Sequence, residues 1–178
     1  MNHKISLIIL FLIAFFLFFQ LDYQVARAQT TPTPIDYHLP FPGILPDHPL
    51  YPMKRIRDWL LLFFNRNPIK KTEYHLLFAD KKLVMAQLLL DKRKTDLSVN
   101  TLIESQTELL KSVSVFNTLA SSSNPPENFS DKIELAIKKH SDLINKIDFS
   151  ITDLNQKKII RQALGINQQA LNQISSLK

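Results

Sequence analysis

The chain contains no cysteine and only two glycines, Gly43 and Gly165, in 178 residues. Without cysteine there is no disulfide framework, no thiolate metal ligand, no thiol nucleophile and no lipid-modified N-terminal cysteine. Two glycines so placed leave no phosphate-cradling loop, no dinucleotide fingerprint and no nucleophile elbow. The alternating runs and glycine turns that mark strands are nearly absent too. Histidine occurs five times, never at ligand spacing. His3 lies in an apolar leader, His38 and His48 flank prolines, and His75 has Phe78 and Ala79 where a helical co-ligand would stand. His140 falls in line with Ile133, Ala136, Ile137, Leu143 and Ile144, the setting of a hydrogen-bonded core histidine. No catalytic residue, metal ligand or cofactor is assigned, and the chain reads as a non-enzyme.

What is present begins with an export signal. Lys4 precedes Ile5–Phe19, which is apolar except for Ser6, and Ala26-Arg27-Ala28 places small residues at both positions a signal peptidase reads. The expectation is a signal peptide over residues 1–28, cut before Gln29, with an uncleaved membrane anchor as the alternative. Residues 29–36, QTTPTPID, form a polar linker. Residues 37–178 form one helical domain that opens with a proline-rich strap over residues 37–52. The formal charge of +6 favours anionic partners, though it is also an ordinary solubility device. An extracytoplasmic location follows, secreted or associated with the envelope.

Beyond the strap the pattern predicts an all-α body, an elongated bundle of about five helices. The first opens with Pro52 and runs to about Asn65. The second takes Asn67 as N-cap and Pro68 at its first position, and continues to about Arg93. Within it Ile69, Leu76, Leu83 and Leu90 recur every seven residues, with Thr72, Ala79 and Ala86 beside them as a column of small side chains. The third spans roughly Ser98–Ala120. The fourth is expected to start at Asn124, with Pro125 at N1 and Glu127 at N3, and to end near Ile147. The fifth covers about Thr152–Leu177. Short links predict antiparallel neighbours, as a bundle or as two stacked hairpins.

Three surface features bear on function. Lys70, Lys71, Lys81, Lys82, Lys92 and Arg93 repeat every 11 residues along the second helix, opposite its apolar seam. Such a stripe either grips a polyanion or is a solvated face. Trp59–Phe64 is apolar on all sides, so it is buried as a hub or inserted in a membrane surface, and burial is the simpler expectation. In the strap, a polyproline II conformation would place Pro40, Pro46, Pro49 and Pro52 on one edge and Phe41, Ile44 and Leu50 on another. A tether has no use for such apolar residues; a ligand for a partner's groove or a strap on the chain's own helices does, and the strap is the simpler expectation, with Phe41, Ile44 and Leu50 packed on the helices.

The segments YHLPFPGILPDHPLYPMKRIRDWL and NPIKKTEYHLLFADKKLVMA resemble an uncharacterised family of exported, helical bacterial proteins. Members pair a Leu-Pro-Tyr-Pro-Gly-Ile-Leu-Pro-Asp segment with a helix opening Asp-Pro-Leu-Lys-Lys-Ala-Glu. Here Phe41 replaces the usual Tyr, Asn67 the Asp and Thr72 the Ala. The resemblance covers Tyr37 to about Asp91 and implies export and a bacterial source, with no activity attached. The expected function is a non-enzymatic envelope binding or structural module, with an anionic envelope polymer on the Lys/Arg stripe as candidate ligand. The alternative is a membrane-interface protein held by its N-terminal segment or by Trp59–Phe64. Nucleic acid is not an expected partner.

Overall fold

The Oδ1 atom of Asn67 accepts from the backbone N–H groups of Ile69 and Lys70 at 2.9 and 3.2 Å, and Pro68 takes the first helical position, as its missing N–H allows. From this cap the longest run of the heptad pattern becomes a helix. A computed structural model describes residues 37–122 and 125–176 of the chain. Five helices follow in order: α1 (Tyr51–Phe64), α2 (Pro68–Asp91), α3 (Thr95–Ser122), α4 (Phe129–Ser150) and α5 (Leu154–Ser175). The fold is an all-α bundle. The expected signal peptide, its cleavage site, the linker and the Asn124 cap lie outside the described residues.

Two starts differ from expectation. Helix α3 begins at Thr95, and Ser98 is a buried interface residue, not a terminus. Helix α4 begins at Phe129, not after Asn124. Pro126 disfavours helical ψ at Pro125, which makes Pro125 a poor first helical residue, and Pro126-Glu127-Asn128 forms a turn that ends with Asn128 at φ 61°. Asp153 behaves as a cap, accepting from Gln156 N–H at 2.9 Å.

Helices α2 and α3 form a hairpin across a three-residue turn. Arg93 takes φ 59°, Arg93 N–H donates to Leu90 O at 2.8 Å and Lys94 N–H donates to Leu89 O at 2.9 Å, a Schellman closure with arginine where glycine is usual. The column Thr72, Ala79, Ala86 is fully buried and lets α3 approach closely. Ser98, Ser105 and Ser112, spaced by seven, donate to the backbone oxygens of Ala86, Ala79 and Thr72 at 2.6, 2.8 and 2.9 Å. This ladder pins the register at three places. Ser105→Leu is expected to force the helices apart and to destabilise by about 1–3 kcal/mol, measured by urea unfolding.

The second hairpin, α4–α5, packs on the first, mainly through α3 against α5. Two apolar clusters result. Leu76, Val113, Phe116, Ile133 and Ile174 belong to one, and Leu83, Leu102, Ile144 and Ile160 to the other. Between them each helix of the two hairpins contributes to a buried polar network, with Asp80, Gln106, His140 and Asn167 as its members that cross between helices. His140 Nε2 lies 2.9 Å from Asp80 Oδ1, and its Nδ1 lies 3.0 Å from Gln106 Nε2. Asn167 Nδ2 donates to Gln106 Oε1 at 3.1 Å and to Ile137 O at 3.2 Å. Since the Gln106 amide donates to Nδ1, the ring proton is assigned to Nε2, where Asp80 accepts it.

The strap joins the same layer. Tyr37 Oη donates to Asp80 Oδ2 at 2.6 Å, and burial, with the charge and hydrogen bond of Asp80, pushes the phenol well above its ordinary range, so it stays a donor. Tyr37 and Leu39 pack against the two clusters, and Pro42 is buried. The residues chosen from sequence are a different set. Phe41 is 79% and Leu50 50% exposed, and only Ile44 is half-buried. Gly43 at φ 73° and the turns closed by His48 N–H to Leu45 O and Tyr51 N–H to His48 O interrupt polyproline II, so its edges do not persist. Phe41→Ala is therefore expected to change stability by less than about 0.5 kcal/mol. Tyr37→Phe, which strands an Asp80 oxygen, should cost about 1–3 kcal/mol by the same thermal or urea measurement.

Candidate functional site

Helix α1 turns charged residues of its first half inward, with Leu60, Leu61 and Leu62 half-buried beyond them. Lys54, Arg57 and Asp58 turn toward the body and are half-buried, whereas Met53, Ile56, Trp59, Phe63 and Phe64 are each 58–74% exposed. No residue of α1 is buried, and α2 is the one helix its backbone approaches. The expected hub is thus an outer layer. Its sequence could not reveal this, because a run apolar on all sides has no preferred face, and the inner side is set by the strap. Lys54 Nζ donates to Pro42 O at 3.1 Å and to Met85 Sδ at 3.7 Å, and lies 5.7 Å above the Tyr51 ring. Arg57 closes on Asp58 at 2.8 Å. Outside, Trp59 stacks on Phe63 at 5.0 Å and Phe63 meets Phe64 edge-on at 5.2 Å.

Between α1 and the α2–α3 hairpin runs a groove of about 230 Å³. Lys54, Arg55, Lys81, Lys82 and Lys111 face it, against the carboxylates of Asp58, Glu104 and Glu108. Tyr51, Trp59 and Leu62 form its apolar rim on α1. Burial pushes the Lys54 ammonium down to about 8; Asp58 opposes this, and the like charges of Lys81, Arg57 and Lys82 add to it. Burial and the nearby charge of Glu104 push Tyr51 up to about 12.

Burial alone would raise Glu108, but His75 Nδ1 at 2.7 Å and the charges of Lys82 and Lys111 outweigh it and hold the carboxyl at about 2. Its contribution to stability is present above the ordinary value of 4.5 and is lost as pH falls toward 2. The stability gap between the native chain and Glu108→Gln should accordingly narrow across that window in denaturant titrations at stepped pH.

The six stripe residues do not share one open face. Lys70 pairs with Glu73 at 2.8 Å, Lys82 reaches Glu104 at 3.1 Å and Glu108 at 3.7 Å, and Lys92 binds Asp47 of the strap at 3.1 Å. Lys94 also reaches Asp47, at 2.9 Å, and the hydrogen bonds from Lys94 and Lys92 hold that carboxyl at about 2. Lys81 joins Lys82 in the groove, Lys71 is half-buried, and Arg93 serves the turn. Strap, α1 and α3 all lie against α2, so the side opposite its seam is largely covered. The Tyr37–Asp80–His140 series, half-buried at Tyr37 and buried at the other two, has the residue types of a proton relay, but its polar atoms bond one another.

A protein-family model described as Domain of unknown function (DUF5667) matches residues 43–177, including the C-terminal half that carries no recognisable motif. No curated protein and no solved structure matches.

Proposed function

The chain belongs to that family, whose description names no activity, and from this premise we propose that it is a non-enzymatic module of the bacterial envelope that holds to a membrane surface through α1. The observation that carries the reading is the outward apolar face of Met53, Ile56, Trp59, Phe63 and Phe64. Contiguous exposed apolar surface of this kind fits lipid, and tryptophan with phenylalanine is favoured at the headgroup boundary. At 14 residues α1 is about 21 Å long, too short to cross a bilayer and suited to lying in its plane. Among the described residues no helix is long and apolar enough to span. The apolar run Ile5–Phe19 would bring the chain to the same surface during export or, if retained, hold it there. The paired state of Lys70, Lys82 and Lys92 argues against the stripe as the main contact.

Trp59 is the sole tryptophan, so its emission reports α1 alone. Titration with neutral phosphatidylcholine vesicles should shift the emission to the blue and carry the protein into the vesicle pellet. An unshifted spectrum with protein left in the supernatant would overturn the reading. So would a concentration-dependent dimer that binds no vesicle, which would make the face a contact between copies.

A further inference from the structure

We propose that the groove beneath α1 is a binding site for the phosphate headgroup of an anionic lipid, a refinement that rests on the membrane reading of α1. The argument is one of charge and position. Five cations face the groove against three carboxylates, and the carboxylates are committed: Glu104 and Glu108 to Lys82, Glu108 also to Lys111 at 3.2 Å, and Asp58 to Arg57. Arg55 and Lys81 supply the remaining positive charge, on facing sides of the groove, with Lys54 between the strap and α2.

Arginine and lysine converging on a partly enclosed space form a site for a phosphate oxyanion, since desolvation strengthens each charge-assisted bond. The depressed Lys54 fits this, because a nearby anion would stabilise its charged form. Trp59 fixes the source of the phosphate. It lines the groove and also lies on the outward apolar face, so a headgroup in the groove would leave its acyl chains beside Trp59 and the membrane. A free phosphate has no need of that continuity.

The test compares the full chain with two charge-matched variants. One carries Arg55→Gln and Lys81→Gln in the groove; the other carries Lys132→Gln and Lys158→Gln, exposed on α4 and α5. Partitioning is measured on phosphatidylcholine vesicles with and without phosphatidylglycerol. The native chain should prefer the anionic vesicles by about tenfold or more. The groove variant should lose that preference while still binding neutral vesicles, and the distant variant should keep most of it. A preference that survives in the groove variant, or falls equally in both, would overturn the headgroup site. Strong binding of soluble glycerol phosphate, read by phosphorus NMR at millimolar concentration, would overturn the lipid as its source. Binding to anionic but not neutral vesicles, still abolished in the groove variant, would remove the apolar role of α1 and leave the groove standing. Binding to neither removes both.

Discussion

Asp80→Leu is expected to remove about 3–5 kcal/mol of stability, among the largest losses available to a single substitution in this chain. Both oxygens of Asp80 are used, by the half-buried Tyr37 Oη and by His140 Nε2, and Asp80 and His140 are themselves buried, so water is a poor substitute for the lost bonds. The total stability of a body this size is roughly 7–20 kcal/mol, so the loss should be visible as a large fall in both urea midpoint and melting temperature. Combining Asp80→Leu with His140→Leu and Tyr37→Phe should recover part of it, since the stranded donors then disappear along with the acceptor. A triple variant as unstable as the sum of its parts would mean the three residues act separately.

The opposite pattern is expected on α1. Ile56→Gln, Trp59→Gln and Phe63→Gln together should weaken partitioning to vesicles by about a hundredfold or more, taking about 1 kcal/mol for each side chain that no longer enters the interface. The same variant should melt within a degree or two of the native chain, because these residues are 58–63% exposed and support no core contact. Three losses of this size inside the bundle would unfold it. Loss of binding with unchanged unfolding separates a contact surface from a structural one, and a lowered melting temperature would return α1 to the core.

How far the sequence discloses these features depends on whether their cause is local. The Asn67-Pro68 start, the seam through Leu76 and Leu83 and the small column beside it are local, and each is found where periodicity places it. His140 was readable as a bonded core histidine because its neighbours on one helical face are apolar. Its partners were not. Asp80, Gln106 and Asn167 each look like ordinary solvated residues within their own helices, and only the packing of two hairpins brings them to one level. The side on which α1 faces outward, and the pairing of Lys82 and Lys92 with α3 and the strap, depend likewise on contacts distant in sequence. Phe41 faces solvent for a more local reason, since a left-handed Gly43 is a single-residue departure that a regular polyproline projection ignores.

The serine ladder has a kinetic consequence. Positions 98, 105 and 112 face 86, 79 and 72 in strict antiphase, so a slip of one residue forfeits all three hydrogen bonds at once. The loop that must close is only the turn at Lys92–Lys94, which makes the α2–α3 pair a low-contact-order unit able to form before the remainder of the chain has docked. It should therefore be the slowest region to exchange its amide hydrogens, with α4–α5 opening more often and α1 exchanging fastest of all. A newly made chain would then acquire a rigid hairpin early, and the second hairpin would assemble on a template already in register.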